Sequence, residues 1–191
     1  MKVIGFTGNY GCQETDQASY LMADSSILYT GRPFFVPDYA RQFMAAPSIV
    51  VRMGRLGKCV APKFAHRYWD ALAPGFNVVA IDGDDRRLAA LGRAFDGAAI
   101  VGDWMQVDEV EDPLQAVVEF KVDGSLIASR CLADMTWPLH DMVAAVSTRC
   151  SIKMGDILFT GDAAPALQLV SGMHLTACIG NRQLLDVKVR L

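Results

Sequence analysis

Residues 117–128 read Val117-Val118-Glu119-Phe120-Lys121-Val122-Asp123-Gly124-Ser125-Leu126-Ile127-Ala128. Val118, Phe120 and Val122 are separated by single polar residues, the two-residue period of a strand with one buried face. Asp123-Gly124 follows at once, and an Asp-Gly pair favours the tight turn whose two central residues take positive φ. Leu126 and Ala128 resume the alternation, so the stretch predicts a β-hairpin. Residues 173–191 repeat the pattern. His174, Thr176 and Cys178 alternate with Met173, Leu175, Ala177 and Ile179, and Leu185, Val187, Val189 and Leu191 carry it onward.

Outward from these segments, Val3–Phe6, Ile49-Val50-Val51 and 77–81 are short apolar runs that read as buried strands. Gly54-Arg55-Leu56-Gly57 marks the exit of the second. Two segments carry a helical period. Phe64, Tyr68, Ala71 and Leu72 share a face after Pro62, with Gly75 as the stop, which predicts a helix over about 63–73. Leu139, Met142, Val143 and Val146, with Pro138 near the start, predict another over 138–148. Residues 9–30, with the polar run Gln13-Glu14-Thr15-Asp16-Gln17, read as a loop. Strand–helix alternation is not sustained, so the expected class is a strand-rich α+β fold and not a doubly wound sheet.

The 191 residues suit one domain, and 52% hydrophobic content suffices for a core without a disulfide or metal staple. Eighteen basic against 21 acidic residues, a net charge of −3, argue against a nucleic-acid partner. No apolar run reaches the ~20 residues of a membrane span. Met1-Lys2-Val3-Ile4 leads straight into strand-like sequence, so the expectation is a cytoplasmic protein without a membrane partner. Five cysteines (Cys12, Cys59, Cys131, Cys150, Cys178) stand singly and read as reduced thiols, and three isolated histidines (His66, His140, His174) make no metal centre. Gly5, Gly8 and Gly11 are spaced Gly-x-x-Gly-x-x-Gly. That is not the dinucleotide fingerprint, and it reads as glycines permitting a tight strand exit.

Several stretches, in order, resemble the fumarylacetoacetate hydrolase family in its short single-domain form. Lys2-Val3-Ile4 to Asn9-Tyr10 resembles its opening strand and Gly-Arg-Asn-Tyr motif, and Phe34-Phe35-Val36-Pro37 its Phe-x-Lys-Pro. Met53-Gly54-Arg55-Leu56-Gly57-Lys58 resembles Ile-Gly-Lys-x-Gly-Lys, and 80–86 the Asp-x-Ser/Thr-Ala-Arg segment. Leu132-Ala133-Asp134-Met135 and 154–161 are similar to Thr-Ala-Asp-Met and Pro-Gly-Asp-x-Ile-x-Thr-Gly. The resemblance implies a roll of mixed β-sheets, usually a homodimer, acting on small 2-oxo or 1,3-diketo acids by hydrolysis, decarboxylation or isomerisation through an enolate. It implies a segment 1–45 holding the first strand and a lid, followed by the roll over 46–191.

The resemblance also implies a Mg²⁺ or Mn²⁺ ion held by Glu-x-Glu and an Asp, with a lid His as base; such a metal polarises the enolisable carbonyl. This chain departs from that pattern. Ala46 and Ser48 fall on the Glu-x-Glu positions, and Gln13-x-x-Asp16 on the lid His-x-x-Glu. Gly8 replaces the Arg before Asn9, Val36 the Lys of Phe-x-Lys-Pro, and Asp162 the Thr after Gly161. Asp82 remains the metal-ligand candidate, with a solvated acidic turn (Asp82, Asp84, Asp85) as the plain alternative. Arg86 and Arg93 are candidates to clamp a substrate carboxylate with their planar forks, or else surface arginines. Gln13 and Asp16 complete the catalytic candidates. Asn9, Tyr10, Thr160 and Gly161 are the substrate-binding candidates. The cofactor expectation is none, or weakly held Mg²⁺ or Mn²⁺. The function expectation is an oxo-acid enzyme with a degenerate centre. The alternative is an inactive family member kept as a binding or scaffold protein, pairing with an active paralogue.

Overall fold

The computed structural model describes residues 1–11, 18–81 and 91–191. Among them, the strands are β1 (Val3–Phe6), β2 (Ser19–Met22), β3 (Ile27–Tyr29), β4 (Phe34–Phe35), β5 (Gln42–Met53), β6 (Trp69–Ile81), β7 (Ala99–Val101), β8 (Met105–Gln106), β9 (Val118–Val122), β10 (Ser125–Arg130), β11 (Ile157–Phe159), β12 (Leu167–Gln168), β13 (His174–Ile179) and β14 (Arg182–Arg190), with one α-helix, α1 (Leu139–Arg149). A nine-stranded sheet runs β2-β1-β11-β5-β6-β7-β3, with β12 on β5 and β8 on β6. It is mixed: β1 lies parallel to β11 and β3 to β7, while β5 and β6 are antiparallel. A five-stranded sheet runs β10-β9-β13-β14-β4. The strand-rich α+β class therefore holds.

The Asp-Gly hairpin forms as its sequence dictates. Asp123 and Gly124 have φ of 50° and 80°, matching the twist of β9 and β10. Val118, Phe120 and Val122 face inward, and the Phe120 ring meets Phe76 of β6 edge-on, 5.7 Å between centroids. That contact joins the two sheets through the core. Helix α1 covers the layer with Leu139, Met142, Val143 and Val146, all buried on one stripe. At ~1.5–3 kcal/mol per buried apolar side chain, this face is what anchors the helix.

The helix expected over 63–73 does not form. Pro62–Arg67 is a single 3₁₀ segment, and the chain then enters β6. Residues 71–78 of β6 are buried on both faces, so apolar side chains stand at nearly every position. A continuous apolar run matches a helical spacing as easily as a strand. Gly75 is no helix stop. It sits mid-strand, where a Cβ would stand 2.6 Å from Val50 Cγ2 and 2.7 Å from the Ile100 carbonyl oxygen. Of the stretch 9–30 read as a loop, residues 18–30 hold two strands, β2 and β3, which pair with β1 and β7.

Candidate active site

Two loops cross at the ends of β1 and β11, and their crossing builds the site. Gly8 and Asn9 take φ of 66° and 80°, turning the chain sharply after β1. Gly161 has φ of 130°, and a Cβ there would stand 2.1 Å from the Gly8 carbonyl oxygen. Only glycine permits that approach. The loops are then stitched together: the Asp162 N–H donates to the Gly8 carbonyl at 2.7 Å, and the Gly8 N–H to Asp162 Oδ2 at 3.0 Å. The second loop also runs along β5, since the Thr160 and Ala163 N–H groups donate to the carbonyls of Ile49 and Pro47.

Asn9 is almost fully buried, and its left-handed backbone is secured by its own side chain. Its Oδ1 accepts from the Trp137 N–H at 2.6 Å, and its Nδ2 donates to the Thr160 carbonyl at 2.8 Å. Tyr10 follows into the core. Its hydroxyl meets Thr160 Oγ1 at 2.8 Å, and Thr160 Oγ1 donates to the Ile49 carbonyl at 2.8 Å. Burial pushes the Tyr10 phenol well above its ordinary value, against the pull of the Thr160 hydrogen bond. The structure thus brings Asn9, Tyr10, Thr160 and Gly161 into one network.

Three further groups complete the site. Asn77 faces Ala46 across the β5–β6 pair. Its Nδ2 donates to Asp162 Oδ1 at 2.9 Å and to the Ala46 carbonyl at 3.3 Å. Asp162 is held from both sides, and burial raises its carboxyl above the usual carboxylate range against the Asn77 and Gly8 hydrogen bonds and the Arg93 charge. Arg93 lies half-buried, its guanidinium carbon 4.3 Å from the centroid of the Tyr20 ring. Asn77 and Tyr20 are absent from the sequence candidates. Each acquires its place through strand register, which a single chain of letters does not display.

Ala46 and Ser48, which the sequence reading sets on the Glu-x-Glu positions, do not suit a hard cation. Ala46 offers a methyl group, and the Ser48 hydroxyl donates to the neighbouring Ile49 carbonyl at 3.2 Å. Among the described residues, no three His, Cys, Asp or Glu side chains converge. Mg²⁺ and Mn²⁺ gain affinity from several oxygen ligands, carboxylates above all, and the network described above offers only Asp162. The described donor set does not fit the metal.

Gln13, Asp16, Asp82 and Arg86 lie outside the described residues. Asp134 holds a turn, accepting from the Cys131 N–H at 2.8 Å. His174 pairs with Asp186 at 2.9 Å on the outer sheet. His66 and His140 line a separate groove of about 900 Å³ with Lys63, Trp69, Leu132 and Met135. Trp69 of that groove is eight residues from Asn77 along β6, roughly 26 Å at strand rise. No helix among the described residues is long and apolar enough to cross a membrane.

Known proteins share this architecture. Over 99–100% of this chain, the fold matches two solved structures at a TM-score of 0.85 and 18% identity. One is fumarylpyruvate hydrolase from Pseudomonas aeruginosa, in complex with Mn²⁺ and pyruvate, with 90% of that chain covered. The other is 5-carboxymethyl-2-hydroxymuconate delta-isomerase from Mycobacterium smegmatis, with 78% covered. In sequence, the chain is 23% identical over 147 residues to the mitochondrial oxaloacetate tautomerase FAHD1 of Bos taurus. That match takes in 74% of this chain and 66% of the relative, just under two thirds of its length. The family description for the fumarylacetoacetate (FAA) hydrolase C-terminal region matches residues 10–189, nearly the whole chain. With that match and the roll-like pair of sheets, the chain belongs to the fumarylacetoacetate hydrolase family.

Proposed function

We propose that this protein acts on a small 2-oxo or 1,3-diketo acid by moving a proton between carbon and oxygen through an enolate, as a tautomerase or isomerase. The observation that carries this is Asp162: a half-buried carboxyl with a raised affinity for its proton, fixed between the Gly8 N–H and Asn77 and under the influence of the Arg93 charge. A carboxyl displaced toward neutrality is a better general base than an exposed one. Each of its oxygens accepts one hydrogen bond from the protein and keeps a lone pair for a substrate proton.

In this reading the Asp162 carboxylate takes the proton from the carbon next to the keto group. The electron pair moves onto the carbonyl oxygen, and the Arg93 charge steadies the enolate. The proton held on Asp162 then returns to oxygen or to another carbon of the enolate, which regenerates the carboxylate. Carbon–carbon hydrolysis would further need a water activated by a metal or a lid base. Ala46, Ser48 and Gln13 supply neither. Names among the relatives, oxaloacetate tautomerase and delta-isomerase, favour the same class of chemistry.

The test is the conversion of enolic oxaloacetate to its keto form, followed by ultraviolet absorbance. Asp162→Asn should lower kcat by about 10²-fold or more, the usual contribution of a general acid–base group. Full activity in that variant refutes the assignment. The loss of acidic groups at 46 and 48 favours one second reading, a non-catalytic binding protein. It is the one to adopt if the wild type binds oxo acids and converts none.

A further inference from the structure

Gly5 on β1 stands opposite Tyr20 on β2. A Cβ at Gly5 would lie 2.2 Å from Tyr20 Cζ and 2.4 Å from its hydroxyl oxygen. The phenol end of the ring therefore occupies the space over the glycine backbone that any side chain at position 5 would take from it. Arg93 packs on the ring as a cation over an aromatic face. The stack presents two buried polar atoms, the Tyr20 hydroxyl and Arg93 Nε. The guanidinium lies near enough to steady the phenol oxygen, but neither atom has a hydrogen-bond partner of good geometry, and the hydroxyl proton has no acceptor.

Native folds satisfy nearly all their buried donors, and an exception calls for an explanation such as a catalytic role or a bound water or ion. Both atoms here are donors of the kind that grip an anionic oxygen, one of them cationic. Burial raises the Tyr20 phenol far above its ordinary value, so the hydroxyl keeps its proton at any physiological pH. Asp162 is close enough for its charge to act on the phenol, so the stack adjoins the proposed base.

We propose that Tyr20 and Arg93 form a carboxylate clamp, Tyr20 O–H donating to one oxygen of the ligand's carboxylate and Arg93 Nε–H to the other. The clamp rests on the oxo-acid reading above and deepens it by naming the two groups that hold the acid's carboxylate, so that esters of the same acid are poor ligands. The carboxylate's own charge supplies the acceptors, and Asp162 is left to act on the carbon beyond it. Tyr20 is a specificity-determining residue that the sequence motifs do not mark. Gly5 is the residue that makes room for it.

The direct test is saturation-transfer NMR titration of the full chain with pyruvate, and with ethyl pyruvate as the uncharged control. Tyr20→Phe keeps the ring, its packing over Gly5 and its stack with Arg93, and deletes only the hydroxyl. It should weaken pyruvate binding about tenfold or more, the worth of a hydrogen bond to a charged group. Ethyl pyruvate should bind the wild type no better than it binds the variant. Arg93→Lys, which keeps the charge and loses the fixed fork, should weaken pyruvate similarly. In kinetics, Tyr20→Phe should raise KM for oxaloacetate with kcat within a few-fold. Equal pyruvate affinity in wild type and Tyr20→Phe overturns the clamp, and continued oxaloacetate conversion would then leave the oxo-acid reading standing. Pyruvate binding that depends on Tyr20, in a protein that converts no oxo acid, upholds the clamp and removes the catalytic reading. Wild type that binds neither pyruvate nor ethyl pyruvate overturns the clamp as well.

Discussion

Thr160→Val should destabilise the protein more than Tyr10→Phe, and the two changes should not add. Thr160 Oγ1 sits between the Tyr10 hydroxyl and the Ile49 carbonyl, 2.8 Å from each. In Thr160→Val the shape is kept and the hydroxyl lost. The Ile49 carbonyl stays satisfied, because it still accepts from the Thr160 N–H at 3.0 Å and from the Ser48 hydroxyl at 3.2 Å. The Tyr10 hydroxyl, only 7% exposed with its whole residue, is left without a partner. An orphaned buried polar group costs about 1–3 kcal/mol. For a chain of this size that lowers Tm by roughly 2–12 °C. Tyr10→Phe removes the donor itself, and Thr160 Oγ1 keeps its bond to Ile49, so the cost is about 0.5–1.5 kcal/mol. In the double variant no polar group is stranded. Its cost should fall short of the sum by about 1 kcal/mol, a coupling typical of touching residues. Urea unfolding of the four proteins measures this cycle. Strict additivity, or a Thr160→Val protein as stable as wild type, would refute the network.

Asp162 gives stability a pH dependence. Its carboxyl is raised above 3.8 in the folded protein, so between that value and its folded pKa the native state holds a proton that the unfolded chain has released. Stability therefore falls as pH rises through that window and levels off above it. Unfolding of Asp162→Asn against pH should lack that fall. Gly75→Ala should cost several kcal/mol or abolish folding, because its Cβ would press on Val50 and on the Ile100 backbone at 2.6 and 2.7 Å; soluble yield and thermal unfolding report it. Calorimetric titration with Mg²⁺ and Mn²⁺ should give no affinity tighter than millimolar, and micromolar binding would show that Ala46 and Ser48 are not the positions that replace the acids. Sedimentation at micromolar concentration should give a homodimer, as the resemblance implies; a species of chain mass would contradict it.

The hairpin at 118–130 was legible because one face of its sheet is buried and the other is wet, so burial writes itself into alternating letters. Helix α1 was legible for the same reason at a different period. Strand β6 was not, because the nine-stranded sheet buries residues 71–78 on both faces and erases the alternation. The site divides along the same line. Asn9, Tyr10, Thr160 and Gly161 lie on loops, where their type and order are set by the turns they make. Asn77 looked like one polar residue in an apolar run. Its significance comes from Ala46 across the strand pair. Tyr20 likewise depends on Gly5 opposite it. Asp162 showed in the sequence only as a departure from a motif, and its two hydrogen bonds give it a different role.

The most direct test of the account is the rate of oxaloacetate tautomerisation by the wild-type protein after exhaustive treatment with EDTA. A proton-transfer site built on Asp162 and Arg93 predicts catalysis that survives chelation and is not raised by added Mg²⁺ or Mn²⁺. Activity abolished by EDTA and restored by micromolar Mn²⁺ would contradict it.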